Sequence, residues 1–213
     1  MAREWLDGYL VCKDDTFPQL LLLSERQHDA ADRLYRAAVR EQDAEKRLKP
    51  ILRGYDAIGS TRYVDFDTTR QVYPTRADKC HVSHVALDTT SWEQKLAQSL
   101  EDVPEVISYV KNQGLGFTVP YVLDGREHDY LPDYLVHYRD GRLESLNLIL
   151  EVTGEKKKDK AVKVATATTL WVPAINNHGG FGRWAFLEID DPWNAKNAIR
   201  AAVAALQTQE VSV

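Results

Sequence analysis

Cysteine is scarce in this chain of 213 residues: there are two, Cys12 and Cys80. They are too few for a disulfide framework and lack the paired spacing of a metal site, so they read as reduced thiols of a cytoplasmic protein. No apolar run approaches the ~20 residues of a membrane span, which argues against a membrane partner. The start, Met1-Ala2-Arg3-Glu4-Trp5, has no signal-peptide pattern. An excess of positive charge is also missing. Lys and Arg number 27 against 32 Asp and Glu, a formal net charge of -5. The chain is therefore not a strongly basic nucleic-acid binder, although a local basic strip can hold DNA on an acidic protein. No glycine-rich loop is followed by a Lys-Ser/Thr step, so there is no P-loop and no ATPase motif.

What remains is an ordinary globular composition, 44% hydrophobic, long enough for one large domain or a domain with an extension. Trp5, Leu6, Tyr9, Leu10 and Val11 are apolar enough to belong inside something larger, which suggests a piece of a longer chain. Thr16 with Pro18 in the following turn predicts a helix to about Leu48, ended by Pro50. Strands are expected at Arg62 to Phe66 and Lys79 to Leu87. His81 and His84 have opposite parity in the second and would face opposite sides, which argues against a shared metal. Ser91 with Gln94 resembles a capping box. The stripe Trp92, Leu96, Leu100 and Val103 then predicts a helix, with a second helical segment from Pro104 to Gly114.

Beyond it the apolar runs shorten. Strands are expected at Phe117 to Leu123, His128 to Tyr138, Leu146 to Val152 and Trp184 to Ile189. The first two are joined by the tight-turn dipeptide Asp124-Gly125. Helices are expected at about Asp159 to Leu170 and Trp193 to Leu206. The fold class is thus α/β: a mixed four-stranded sheet flanked by helices, with a helical amino-terminal extension.

Two positions in this pattern carry chemistry. Pro132-Asp133 enters one apolar strand. Glu151 closes the run Leu146-Asn147-Leu148-Ile149-Leu150 and is followed by Val152. Glu is seldom deeply buried without a partner, and an unpaired buried charge is expensive. Taken singly, a Pro-Asp step is ordinarily a turn and a strand-end Glu a solvated edge. Taken together, on neighbouring strands, Asp133 and Glu151 can share one hard cation such as Mg²⁺, which takes one or two carboxylates plus waters and substrate phosphate.

The succession Tyr130-Leu131-Pro132-Asp133, Asn147 to Gly154, Lys160 and Lys163, Leu170 to Asn177, and Gly180-Phe181-Gly182-Arg183-Trp184 resembles the carboxy-terminal endonuclease region of type III restriction enzyme Res subunits, members of the PD-(D/E)xK nuclease superfamily. The likeness covers roughly residues 76–200 and extends upstream through Arg62 to Asp88. It implies a restriction-endonuclease-like core at 89–213, with residues 1–88 a connector to a missing motor portion. It also implies hydrolysis of double-stranded DNA with Mg²⁺, or Mn²⁺, held by Asp133 and Glu151. ATP would be used only by the missing motor, and a modification (methyltransferase) subunit would be the partner. Glu93 falls where many members carry a further acidic residue, though an exposed Glu in a first helical turn also simply suits the helix dipole.

One position departs from the pattern. The lysine expected two residues after the glutamate is replaced by Thr153. Lys163 is the favoured substitute, with Lys157 or Lys156 as alternatives at the helix start, and Lys156, Lys157, Lys160 and Arg183 are the expected phosphate contacts. The alternative is a weakened nuclease-like module that binds or docks on DNA without cutting it.

Overall fold

The computed structural model describes residues 59–87, 91–123, 126–152 and 159–211, together with Val11, Phe17, Gln19 and Gln27. Apart from Phe17, Gln19 and Gln27, the expected helix over residues 16–48 lies outside the described residues, as does the 124–125 turn.

The centre is a four-stranded sheet in the order β3-β6-β7-β8: β3 (Val106–Lys111), β6 (Tyr134–Tyr138), β7 (Leu146–Val152) and β8 (Arg183–Ile189). β6 runs antiparallel to both β3 and β7, and β8 runs parallel to β7. The parallel pair needs a crossover, and helices supply it. The sheet is therefore mixed, as expected. β7 carries the deepest apolar run: Leu148, Ile149 and Leu150 are each at most 1% exposed. Successive strand residues point to opposite faces, so an unbroken apolar run means that both faces are covered.

One face packs on helix α1 (Trp92–Asp102) through Leu96, Ala97 and Leu100, and on the last helix through Ile199 and Val203. A small ribbon of β1 (Val72–Pro74) and β2 (His84–Ala86) contributes to the same core. Tyr73, Cys80, Val85 and Leu87, read from sequence as connector, pack into this core. The other face carries Leu135, Ile149, Trp184 and Phe186. It is covered by a hairpin, β4 (Val119–Leu123) with β5 (Arg126–Tyr130), and by Ala167 and Trp171 of the crossover.

Several expectations are corrected. The stretch after Pro104 is strand β3, not helix. Proline disfavours helical geometry in the residue before it, so α1 stops at Asp102 with Val103 extended. Val106, Ile107, Tyr109 and Val110 are then free to follow their strand preference. The strand near 117–123 is not part of the main sheet but of the hairpin. The expected strand His128 to Tyr138 is two strands, split at Leu131-Pro132-Asp133, because proline offers no N–H to a ladder. Upstream, Thr61–Tyr63 is a single 3-10 turn, not a strand, and only His84–Ala86 of the Lys79 to Leu87 stretch is paired.

The crossover is longer than expected. Helix α2 (Lys160–Thr166), a π-helical stretch (Ala167–Trp171) and helix α3 (Val172–His178) run on without a break. Pro173 lacks the N–H that an α-helical ladder requires, and a local π segment absorbs such a defect. Asn176 is thus helical, not part of a loop. Its side chain imitates a strand: Trp184 N–H donates to Oδ1 (2.8 Å), and Nδ2 donates to Trp184 C=O (2.9 Å). The Gly-Phe-Gly-Arg-Trp block therefore serves to start β8. Helix α4 (Ala195–Val211) closes the domain.

Glu101, 4% exposed, is the polar pin of the first core. Its carboxylate accepts from Tyr73 Oη (2.7 Å), Tyr109 Oη (2.8 Å) and the Arg76 main-chain N–H (2.8 Å). Burial and this bond push the Tyr73 hydroxyl up to about 12. Glu101→Ala would leave three donors without their acceptor, at roughly 1–3 kcal/mol each where water cannot enter. A urea titration is expected to show a loss of at least about 3 kcal/mol. A loss under about 1 kcal/mol would mean that the donors find other partners.

Candidate functional site

Asp133 stands one residue before β6, immediately after the break made by Pro132. The pairing of Tyr134 with Leu150 continues to bring it opposite Glu151. The two residues hold each other's strands. Val152 N–H donates to Asp133 Oδ2 at 2.7 Å, and the Asp133 main-chain N–H hydrogen-bonds the Glu151 carboxylate. Tyr130, the last residue of β5, donates its hydroxyl to Glu151 Oε2 at 2.6 Å. Alternation along β7 puts Glu151 on the face of Ile149.

Both carboxylates are strained electrostatically. Burial raises Asp133 above the usual range, offset in part by the Val152 N–H and by the charges of Lys111 and Lys160. Burial and the neighbouring Asp133 push Glu151 up to about 7, against the Tyr130 bond and Lys160, which pull it down. Such a shift corresponds to roughly 3 kcal/mol of disfavoured charge at most. A hard cation relieves that cost. Mg²⁺ and Mn²⁺ suit carboxylates and keep several waters, so two side chains are an adequate donor set. Among the described residues no group of three or more His, Cys, Asp or Glu has the arrangement of a metal cage, as a tetrahedral zinc site would require.

The other expected residues divide. Lys160 comes to the pair: its Nζ is 3.0 Å from Glu188 Oε1, and Glu188 lies opposite Glu151 in the parallel register. Lys163, one turn further on, is 2.7 Å from Asp159 Oδ2 and sits over the rings of Tyr121 (5.6 Å) and Tyr130 (5.9 Å). Burial works against its charge, but the Asp159 bond, Tyr121 and Glu151 raise it overall. Lys156, Lys157 and Thr153 lie outside the described residues.

Glu93 is not the exposed helix-end residue that its position allows. It is buried, 3.0 Å from the Lys111 ammonium, which also donates to Ala86 C=O at 2.7 Å. Lys111 pairs with Tyr134 and so belongs to the α1 face. Glu93 is linked to the pair through Lys111, whose charge acts on Asp133.

Arg183 is not brought to the pair. It begins β8, five residues before Glu188, or roughly 16 Å along a strand. Its Nη1 bonds Asp140 Oδ2 at 2.6 Å, and the Asp140 side chain is fully covered. A cavity of about 430 Å³ lies at that end, lined in part by Arg183, Asn176, Trp184 and Leu206. Neither Asp133 nor Glu151 lines it, so this cavity and the charged chemistry sit apart.

Comparison with protein-family models, with curated proteins and with solved structures found no match in any of the three.

Sequence reasoning missed Tyr130, Glu188 and Lys111. Glu188 was within reach of it: in Trp184-Ala185-Phe186-Leu187-Glu188 the alternate residues Trp184, Phe186 and Glu188 share one face. Tyr130 and Lys111 carried no local signal, because their roles follow from strand pairing.

A carboxylate whose folded value stands above its unfolded one takes stability away as pH rises between the two. For Glu151 that window runs from 4.5 to about 7. Glu151→Gln is expected to raise the melting temperature at pH 8 and to leave it nearly unchanged at pH 4.5. Millimolar Mg²⁺ is expected to raise the wild-type value at pH 8 but not that of Glu151→Gln. Thermal unfolding at the two pH values checks this, and a lower melting temperature for the variant at pH 8 would contradict it.

Proposed function

We propose that this chain is the cleavage module of a type III-like restriction enzyme, a Mg²⁺-dependent endonuclease acting on double-stranded DNA. The observation that carries this reading is the Asp133–Glu151 pair, two partly buried carboxylates at adjacent strand ends that repel each other until a cation is present. The element order supports it as well. Helix, three antiparallel strands, a helical crossover and a parallel fourth strand is the arrangement expected of a restriction-endonuclease-like core, with the hairpin β4–β5 as an addition.

In this reading Asp133 and Glu151 hold the metal. A Mg²⁺ held by them would supply a water of lowered pKa and positive charge against the scissile phosphate. The chain's own residues do the rest. Tyr130 fixes one oxygen of Glu151. The exchange of main-chain N–H groups between the two strands fixes the separation of the carboxylates. An ammonium from α2 supplies the positive charge that Thr153 cannot. A motor that uses ATP and a modification subunit that reads sequence are the partners this reading calls for.

A second reading, a DNA-binding or docking module with weakened chemistry, is favoured by one observation. The ammonium of Lys163 is already engaged by Asp159 and two tyrosine rings.

Nicking of supercoiled plasmid in Mg²⁺ or Mn²⁺ separates the two. The endonuclease reading expects nicking that Asp133→Ala and Glu151→Ala each reduce at least about 100-fold, the scale of a lost electrostatic contribution to the transition state. DNA retention without nicking, also in the presence of motor and modification subunits, would leave the docking module.

A further inference from the structure

Three acidic side chains stand in a row across one face of the sheet: Asp133 before β6, Glu151 on β7 and Glu188 opposite it on β8. Like charges this close, half withdrawn from water, require a positive partner or else give up charge. Two lysines of α2 are near enough to serve, and the structure treats them differently. Lys160 is in the first turn. Its side chain is 19% exposed, and its ammonium is salt-bridged at 3.0 Å to Glu188, the outer member of the row. From there its charge acts on both Asp133 and Glu151.

Lys163 is spent elsewhere. Asp159 takes its ammonium at 2.7 Å in an i,i+4 pair on its own helix segment. Tyr121 and Tyr130 flank it from the hairpin, and Tyr121 Oη also approaches Asp159 Oδ2 at 3.5 Å. Although its charge is felt at Glu151, these contacts join α2 to the β4–β5 ribbon.

We infer that Lys160, carried by Glu188, is the ammonium that serves the Asp133–Glu151 pair in place of the lysine absent at Thr153, and that Lys163 is a clamp between α2 and the hairpin. The inference rests on the cation-dependent reading of that pair. It has a consequence opposite to that of a simple structural lysine. An ammonium beside two carboxylates competes electrostatically with a divalent cation. Removing it therefore tightens cation binding while withdrawing charge from the reaction. Removing a clamp only loosens the fold.

Calorimetric titration of the full chain with Mn²⁺ at pH 7.5 distinguishes them, using Lys160→Met and Lys163→Met, which keep the apolar stem. Lys160→Met is expected to bind Mn²⁺ about three- to tenfold more tightly than wild type, and to nick plasmid at least about 100-fold more slowly. Lys163→Met is expected to keep Mn²⁺ affinity within about twofold and to melt at a lower temperature. Tighter binding by Lys160→Met alone supports the assignment whether or not the isolated chain nicks. Unchanged or weaker binding, or tightening by Lys163→Met instead, overturns it and leaves the nuclease reading standing. A wild type that binds no Mn²⁺, indistinguishable from Glu151→Ala, defeats the nuclease reading and the assignment together.

Discussion

The organisation of this domain depends on one constraint: two carboxylates are held side by side where water is scarce. Strand register does the holding. Leu146, Leu148 and Leu150 lock β7 into one core while Ile149 is buried in the other. A slip by one residue would exchange the faces and put leucines where Glu151 stands. The depth of β7 therefore fixes the position of Glu151, and the pairing of β6 with β7 fixes that of Asp133. Pro132 interrupts the ladder immediately before the aspartate. The repulsion that results is an energetic cost of the native state in the absence of a cation.

The surroundings distribute that cost. Tyr130 and two main-chain N–H groups bond the carboxylates directly. Lys160 reaches them from the crossover helix through Glu188, and Lys111 reaches Asp133 from behind the sheet. Lys111 in turn is neutralised by Glu93 in the opposite core. A chain of alternating charges thus passes from α1 through the sheet end to α2. The π-helical stretch and Pro173 lie further along that crossover, where the wider turn lets one helix run from the charged end of the sheet back to the start of β8.

Much of this was legible in the residues. Asp133 and Glu151 stood out because a charge bordering an apolar run needs a reason, and the helix and strand order gave the mixed sheet. The first strand of the sheet was misjudged because Val106, Ile107 and Val110 fit both a helical and an extended spacing, and a short segment gives periodicity little to work with. The hairpin was taken for sheet because its local sequence cannot say what it packs against. The surroundings of Glu93 and Arg183 were illegible for the same reason. Their partners, Lys111 and Asp140, are 18 and 43 residues away and are found only through tertiary pairing. Asn176 and the Gly-Phe-Gly-Arg-Trp block, which carry part of the resemblance, here secure the edge of β8.

The central claim is that Asp133 and Glu151 share a divalent cation. Its most direct measurement is anomalous scattering from crystals soaked in Mn²⁺ near pH 8. The account predicts one strong peak within coordinating distance of both carboxylates, absent from Glu151→Ala crystals. A peak elsewhere, or a pair left to share a proton at that pH in millimolar Mn²⁺, would contradict it.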